Sequence, residues 1–166
     1  MWKIGKIPDN IIDEEYKHID YITEPFNDQT MIDEWTKLYG NIHDTGDMAD
    51  FRHRQPTWTQ DIINFLNLSL AGSSFYRMGP GKILPYHSDT YLKYIEHYKI
   101  TDKSKIHRAI IFLEDWMPGH VFEVDGHPVY NYTKGTYVLW QNSTPHLAAN
   151  IGPHNRYTLQ ITGILD

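Results

Sequence analysis

The sequence predicts a mainly β fold, a jelly-roll-like double sheet backed by helices in its N-terminal part. Two observations point there. Apolar residues recur at helical spacing in the early part of the chain; after Gly72 the pattern becomes short apolar runs divided by Gly- and Pro-bearing turns. The 166 residues, 40% apolar and 14% aromatic, suffice for the buried core of one domain, 1–166, in which 1–72 supplies mainly helical support and 73–166 the β core.

In order, residues 2–7 read as a short strand stopped by Pro8. Asp9 and Asn10 are caps for a short helix through IIDEEYKHI. Glu24-Pro25 marks a break, because a residue before proline avoids the helical region. A second helix is expected over 28–39, with Met31, Ile32, Trp35 and Leu38 on one side and Gly40 ending it. The polar stretch 41–56 reads as loop. A third helix is expected over 57–70, with Trp58, Ile62, Phe65 and Leu66 on one side. Strands are then expected over 73–78, over 83–87 (bent or at an edge because of Pro85), and over 106–113. Residues 121–124 and 129–132 form a hairpin around Asp125-Gly126, followed by strands at 136–140, 145–151 and 157–164. Residues 91–105 are a polar, lysine-bearing insertion and the candidate substrate lid.

Composition narrows the function classes. No cysteine is present, so disulfide frameworks and thiolate metal sites are excluded. No apolar run approaches the ~18 residues of a membrane span, and the start MWKIGKIPDN lacks a signal-peptide core, so a soluble, cytoplasmic protein with no membrane partner is expected. Residues 1–50 hold 4 Lys against 12 Asp and Glu, while residues 51–166 hold 11 Lys and Arg against 9 acids. Neither part has the basic face of a duplex binder, which disfavours a nucleic-acid partner.

His87 and Asp89 stand two apart at a predicted strand end, so their side chains leave the same face. An imidazole and a carboxylate so placed need one more imidazole to hold a divalent iron on one face and leave the other open. His146 is the candidate, and Arg156 follows ten residues later. Were the turn between them centred near Ile151, antiparallel pairing would set His146 and Arg156 across from each other. His120 and His127 flank the hairpin and read as surface residues; Trp140 reads as core near His146.

The pattern of His87-x-Asp89, distal His146 and Arg156 resembles the iron(II)- and 2-oxoglutarate-dependent dioxygenases, over about residues 73–164. The segment YRMGPGKILPYHSD is similar to the prolyl-hydroxylase branch, and the layout also resembles the aspartyl/asparaginyl β-hydroxylases and small phage-type members. One departure is that prolyl hydroxylases often carry lysine where Arg156 stands. The resemblance implies a double-stranded β-helix core, with His87, Asp89 and His146 as ligands of Fe(II). It implies 2-oxoglutarate and O2 as co-substrates, ascorbate as a reductant, and hydroxylation of a protein side chain or small molecule with release of succinate and CO2. Arg156 would anchor the far carboxylate of 2-oxoglutarate, helped by Thr158, with Tyr76, Arg108 and Asn150 as further candidates for cofactor or substrate contact. The competing expectation is a non-catalytic jelly-roll metal-binding or interaction module.

Overall fold

The computed structural model of the protein describes residues 1–23, 28–40, 44–50, 52 and 54–165. The break expected at Glu24-Pro25 and part of the loop 41–56 lie outside the described residues. In chain order the strands are β1 (Trp2–Lys6), β2 (Asp47–Asp50), β3 (Ser69–Met78), β4 (Ile83–His87), β5 (Ile106–Phe112), β6 (His120–Val124), β7 (His127–Pro128), β8 (Thr136–Gln141), β9 (His146–Asn150) and β10 (Arg156–Ile164). The helices are α1 (Gln29–Tyr39), α2 (Trp58–Phe65) and α3 (Leu92–Tyr98). The larger sheet has the order β1-β8-β5-β10-β3-β2 and the smaller the order β4-β9-β6-β7. All pairings are antiparallel.

The central strands β5, β8 and β10 of the larger sheet alternate, and that alternation builds two cores. Ala109, Ile111, Leu139, Leu159 and Ile161 face the helices, where they meet Trp58 and Ile62 of α2 and Tyr16. Ile110, Phe112, Val138 and Trp140 face the smaller sheet and meet Phe122, Val124 and Ala148. Each of these three strands therefore carries one apolar face for the helices and one mixed face for the interior between the sheets. Arg108, Arg156 and Thr158 lie on the second.

Several boundaries differ from expectation for local reasons. The third helix stops at Phe65 because Asn67 takes a left-handed conformation (φ 55), so β3 begins at Ser69. The first helix is only a 3-10 turn over Glu14–His18, capped by the Asp13 carboxylate accepting from the Glu15 amide at 2.9 Å. The early chain is less helical than expected. β1 pairs with β8, and β2 forms inside the expected loop by pairing with β3, where the Arg77 guanidinium meets Asp47 at 2.7 Å. The hairpin turns at Asp125 (φ 53) and Gly126 (φ 74), as the dipeptide demands, but β7 is only two residues long. The insertion holds α3 and is fastened to the sheet: the Tyr94 hydroxyl donates to the Leu70 carbonyl at 2.8 Å and Tyr98 to Ala71 at 3.2 Å.

Candidate metal centre

β4 and β9 pair so that His87 and His146 are direct partners, and a bulge between Leu84 and His87 lets the strand bend after Pro85. The two rings lie 4.4 Å apart, centroid to centroid. β4 ends at His87, so Asp89 is not on the strand as expected; the loop beyond it brings the carboxylate back over both imidazoles. Asp89 Oδ1 lies 3.7 Å from His87 Nε2, and Oδ2 lies 3.8 Å from His146 Nε2. Each imidazole is oriented from behind: His87 Nδ1 contacts the Pro85 carbonyl at 2.7 Å, and His146 Nδ1 the Thr144 carbonyl at 3.1 Å. That leaves both Nε2 atoms for the interior, as a metal ligand requires. Among the described residues this is the one group of three His, Asp or Glu with ligand atoms within metal-binding reach, all within 4.8 Å. Trp35 of α1 meets His87 edge-on at 5.4 Å, and Trp140 packs on His146 at 4.8 Å, as expected of a core tryptophan there.

The electrostatics suit a cation. Burial lowers His146 to about 4, against the opposing pull of Asp89, so it is a neutral donor at neutral pH. Burial alone would raise Asp89, but the Arg108 guanidinium and the two imidazoles outweigh it and hold the carboxyl well below its usual range. Two imidazoles and one carboxylate form a donor set that fits a first-row divalent metal with open positions.

Arg156 starts β10, opposite Met78 of β3. It is 5% exposed, and its Nε and Nη2 atoms are buried without a hydrogen-bond partner. Its guanidinium rests over Phe112 at 5.4 Å and Phe122 at 5.6 Å. Tyr132 stacks on Phe112 at 3.6 Å and has a buried, unpartnered hydroxyl, as does the Trp140 indole N–H. Burial raises the Tyr132 hydroxyl, opposed by the Arg156 charge. Buried donors are almost always satisfied, and a buried cation left unpaired is costly. Arg156, Tyr132 and Trp140 thus carry buried donors with nothing among the described residues to bond in the interior. Thr158, two residues on, is 4% exposed and shares the face of Arg156.

The expected pairing of His146 with Arg156 does not occur. β9 belongs to the smaller sheet and β10 to the larger, so the two residues approach from opposite layers. The other candidates take distinct positions. Arg108 faces the interior and pairs with Asp89, its Nη2 at 3.0 Å from Oδ2. Tyr76 lies on β3 opposite Thr158, with its hydroxyl raised by burial against the nearby Arg108 charge. Asn150 is fully buried and fully engaged: its amide donates to the Met78 and His154 carbonyls, each at 2.7 Å, and accepts from the Gly152 N–H at 3.0 Å. Those bonds tie the end of β3 to the β9–β10 turn. His120 is 4% exposed, not a surface residue, with Nε2 at 3.2 Å from the His154 carbonyl; His127 is exposed. Tyr91, Tyr132 and the two phenylalanines under Arg156 were not singled out from sequence, because an aromatic on a strand reads first as packing.

Fold and site together define a double-stranded β-helix protein with a His-Asp-His cluster in its interior. No family model matches the sequence, and neither does any curated protein. Among solved structures it is similar to a prolyl-4-hydroxylase from Pseudomonas putida, at 16% identity and a TM-score of 0.59, covering 99% of this chain and 92% of that one. It is also similar to a predicted oxalate decarboxylase from Thermotoga maritima, at 15% identity and a TM-score of 0.45 over 72% and 80% of the two chains. A cupin protein from Bacteroides fragilis matches at 14% identity and a TM-score of 0.40 over 62% and 73%. The first of these likenesses, together with the two antiparallel sheets, speaks to the fold alone, a double-stranded β-helix. No helix among the described residues is long and apolar enough to cross a membrane.

Proposed function

We propose that the protein is an iron(II)- and 2-oxoglutarate-dependent oxygenase that hydroxylates a protein side chain or small molecule. The observation that carries this reading is Arg156, a buried cation without an acidic partner among the described residues, in the same interior as the His-Asp-His cluster. A guanidinium binds a carboxylate through paired charge-assisted hydrogen bonds, and one deep in an aromatic-walled pocket selects an anion-ended ligand that reaches the metal at its other end. 2-Oxoglutarate has that form.

In this reading His87, Asp89 and His146 hold Fe(II), which supplies the dioxygen chemistry when bound. Arg156 and Thr158 hold the far carboxylate of 2-oxoglutarate, and the Tyr132 hydroxyl adds a donor beside them. The aromatic walls exclude water, and Trp35 and Trp140 fix the imidazole planes. 2-Oxoglutarate, O2 and a C–H substrate become succinate, CO2 and the hydroxylated product. Tyr76 lies between this pocket and Arg108, where either co-substrate or substrate comes within its reach.

The purified protein, given Fe(II), ascorbate, 2-oxoglutarate and air, is expected to release succinate slowly even without its prime substrate. Absence of both succinate and 2-oxoglutarate binding by the metal-loaded protein would sink this reading in favour of a non-catalytic metal-binding module.

A further inference from the structure

We propose that Arg108 is a positioning residue for Asp89: it occupies one carboxylate oxygen so that only the other is offered to the metal, which keeps positions open for co-substrates. This rests on the oxygenase reading above. Both Nε (3.1 Å) and Nη2 (3.0 Å) of Arg108 converge on Oδ2 of Asp89. Oδ1 stands 3.7 Å from His87 Nε2 with no contact to the guanidinium, while the clamped Oδ2 stands 3.8 Å from His146 Nε2.

The clamp is built, not incidental. Arg108 is 8% exposed and reaches Asp89 from β5, in the sheet opposite the two histidines. With its amide turned so that the oxygen faces the guanidinium, the Gln160 side chain accepts from the terminal nitrogens. The Tyr91 ring covers the guanidinium at 5.0 Å. Tyr91 itself has a left-handed backbone (φ 55), which costs a bulky residue on the order of 1 kcal/mol and persists only where the surroundings impose it. Strain, stacking and hydrogen bonding thus all serve one guanidinium.

The chemistry explains why such a clamp is useful. A carboxylate binds a metal through one oxygen or through both. With two imidazoles, a two-oxygen carboxylate would fill four of six positions, leaving too few for a chelating 2-oxo acid and dioxygen together. A cationic fork on Oδ2 engages that oxygen's lone pairs and disfavours the two-oxygen mode. It also offsets the carboxylate charge, so the site holds its metal less tightly than the same ligands would alone.

Co(II) tests this without turnover, because its visible bands report coordination number. Wild type, Arg108→Gln and Arg108→Lys are titrated with Co(II), followed by absorbance and calorimetry, and then with 2-oxoglutarate. In Arg108→Gln, Co(II) is expected to bind about tenfold tighter with altered bands, because a repelling cation is gone, and 2-oxoglutarate about tenfold more weakly to the Co(II) form. Arg108→Lys keeps the charge but not the fork, and should fall between. A folded Arg108→Gln with wild-type bands and affinities overturns the proposal. Should that variant not fold, Arg108→Lys and Tyr91→Leu decide it, and unchanged bands in both overturn it. If wild type takes up Co(II) but not 2-oxoglutarate, the oxygenase reading fails while the bands still decide the role of Arg108. If wild type takes up no Co(II), the metal reading and this proposal fall together.

Discussion

His87 on β4 and His146 on β9 are register partners whose rings lie 4.4 Å apart, each turned inward by a backbone carbonyl at its Nδ1. The spacing of the candidate ligands is thus set by sheet hydrogen bonds rather than by a loop. The carboxylate sits beyond the strand end and is held instead by Arg108.

This predicts unequal roles for backbone and side chain. His87→Ala or His146→Ala should leave the sheet intact and weaken divalent metal binding by more than roughly a hundredfold. Elemental analysis after gel filtration from Fe(II) or Co(II) measures it. Unchanged metal content in either variant removes that residue from the ligand set.

Arg156 predicts a trade between stability and binding. In the absence of ligand its Nε and Nη2 are buried without partners, over Phe112 and Phe122. Arg156→Met keeps the apolar length and removes the unpaired charge, so the ligand-free protein should gain about 1–2 kcal/mol in urea unfolding. 2-Oxoglutarate binding to the metal-loaded protein should fall by about tenfold to a hundredfold or more, with metal affinity nearly unchanged. Equal loss of metal and 2-oxoglutarate binding would contradict the assignment.

The buried histidines predict an acid-sensitive metal-free fold. Burial lowers His146 from 6.5 to about 4, and lowers His120 in the same direction. A depressed histidine binds fewer protons folded than unfolded between those values. The stability it lends is complete above pH 6.5 and is lost as pH falls toward 4, up to about 3 kcal/mol for His146. Urea midpoints of the metal-free protein between pH 7.5 and 4.5 test this: wild type should weaken on acidification and His146→Gln less so. A flat wild-type profile would refute it.

Much of the core was legible because strand periodicity is local. Alternation put Tyr157, Leu159 and Ile161 in a packing layer off the face of Arg156 and Thr158, and the three do pack in the core that holds Trp58 and Ile62. Arg108 was likewise read as opposite in direction to Ala109. Sheet membership was not legible. Gly152-Pro153 announces a turn, but a turn between sheets and a turn within one look alike in sequence, so His146 and Arg156 were expected in one hairpin. β2 was missed because Asp47–Asp50 is polar at both ends and forms only by pairing with β3. The third helix was drawn too long because its end was placed by Gly72, while Asn67 and Leu70 already leave helical geometry (φ 55 and 48). Partners such as Arg108 with Asp89, 19 residues apart, are set by tertiary register and leave no local trace.

The two imidazoles belong to the four-stranded layer, and both inward guanidiniums, Arg108 and Arg156, to the six-stranded one. Anything that touches the histidines at one end and a guanidinium at the other rivets the layers together. Loading such a protein should slow amide hydrogen exchange along β9 and β10 at once, so that occupancy registers as stiffness of the whole sandwich and not of the pocket alone.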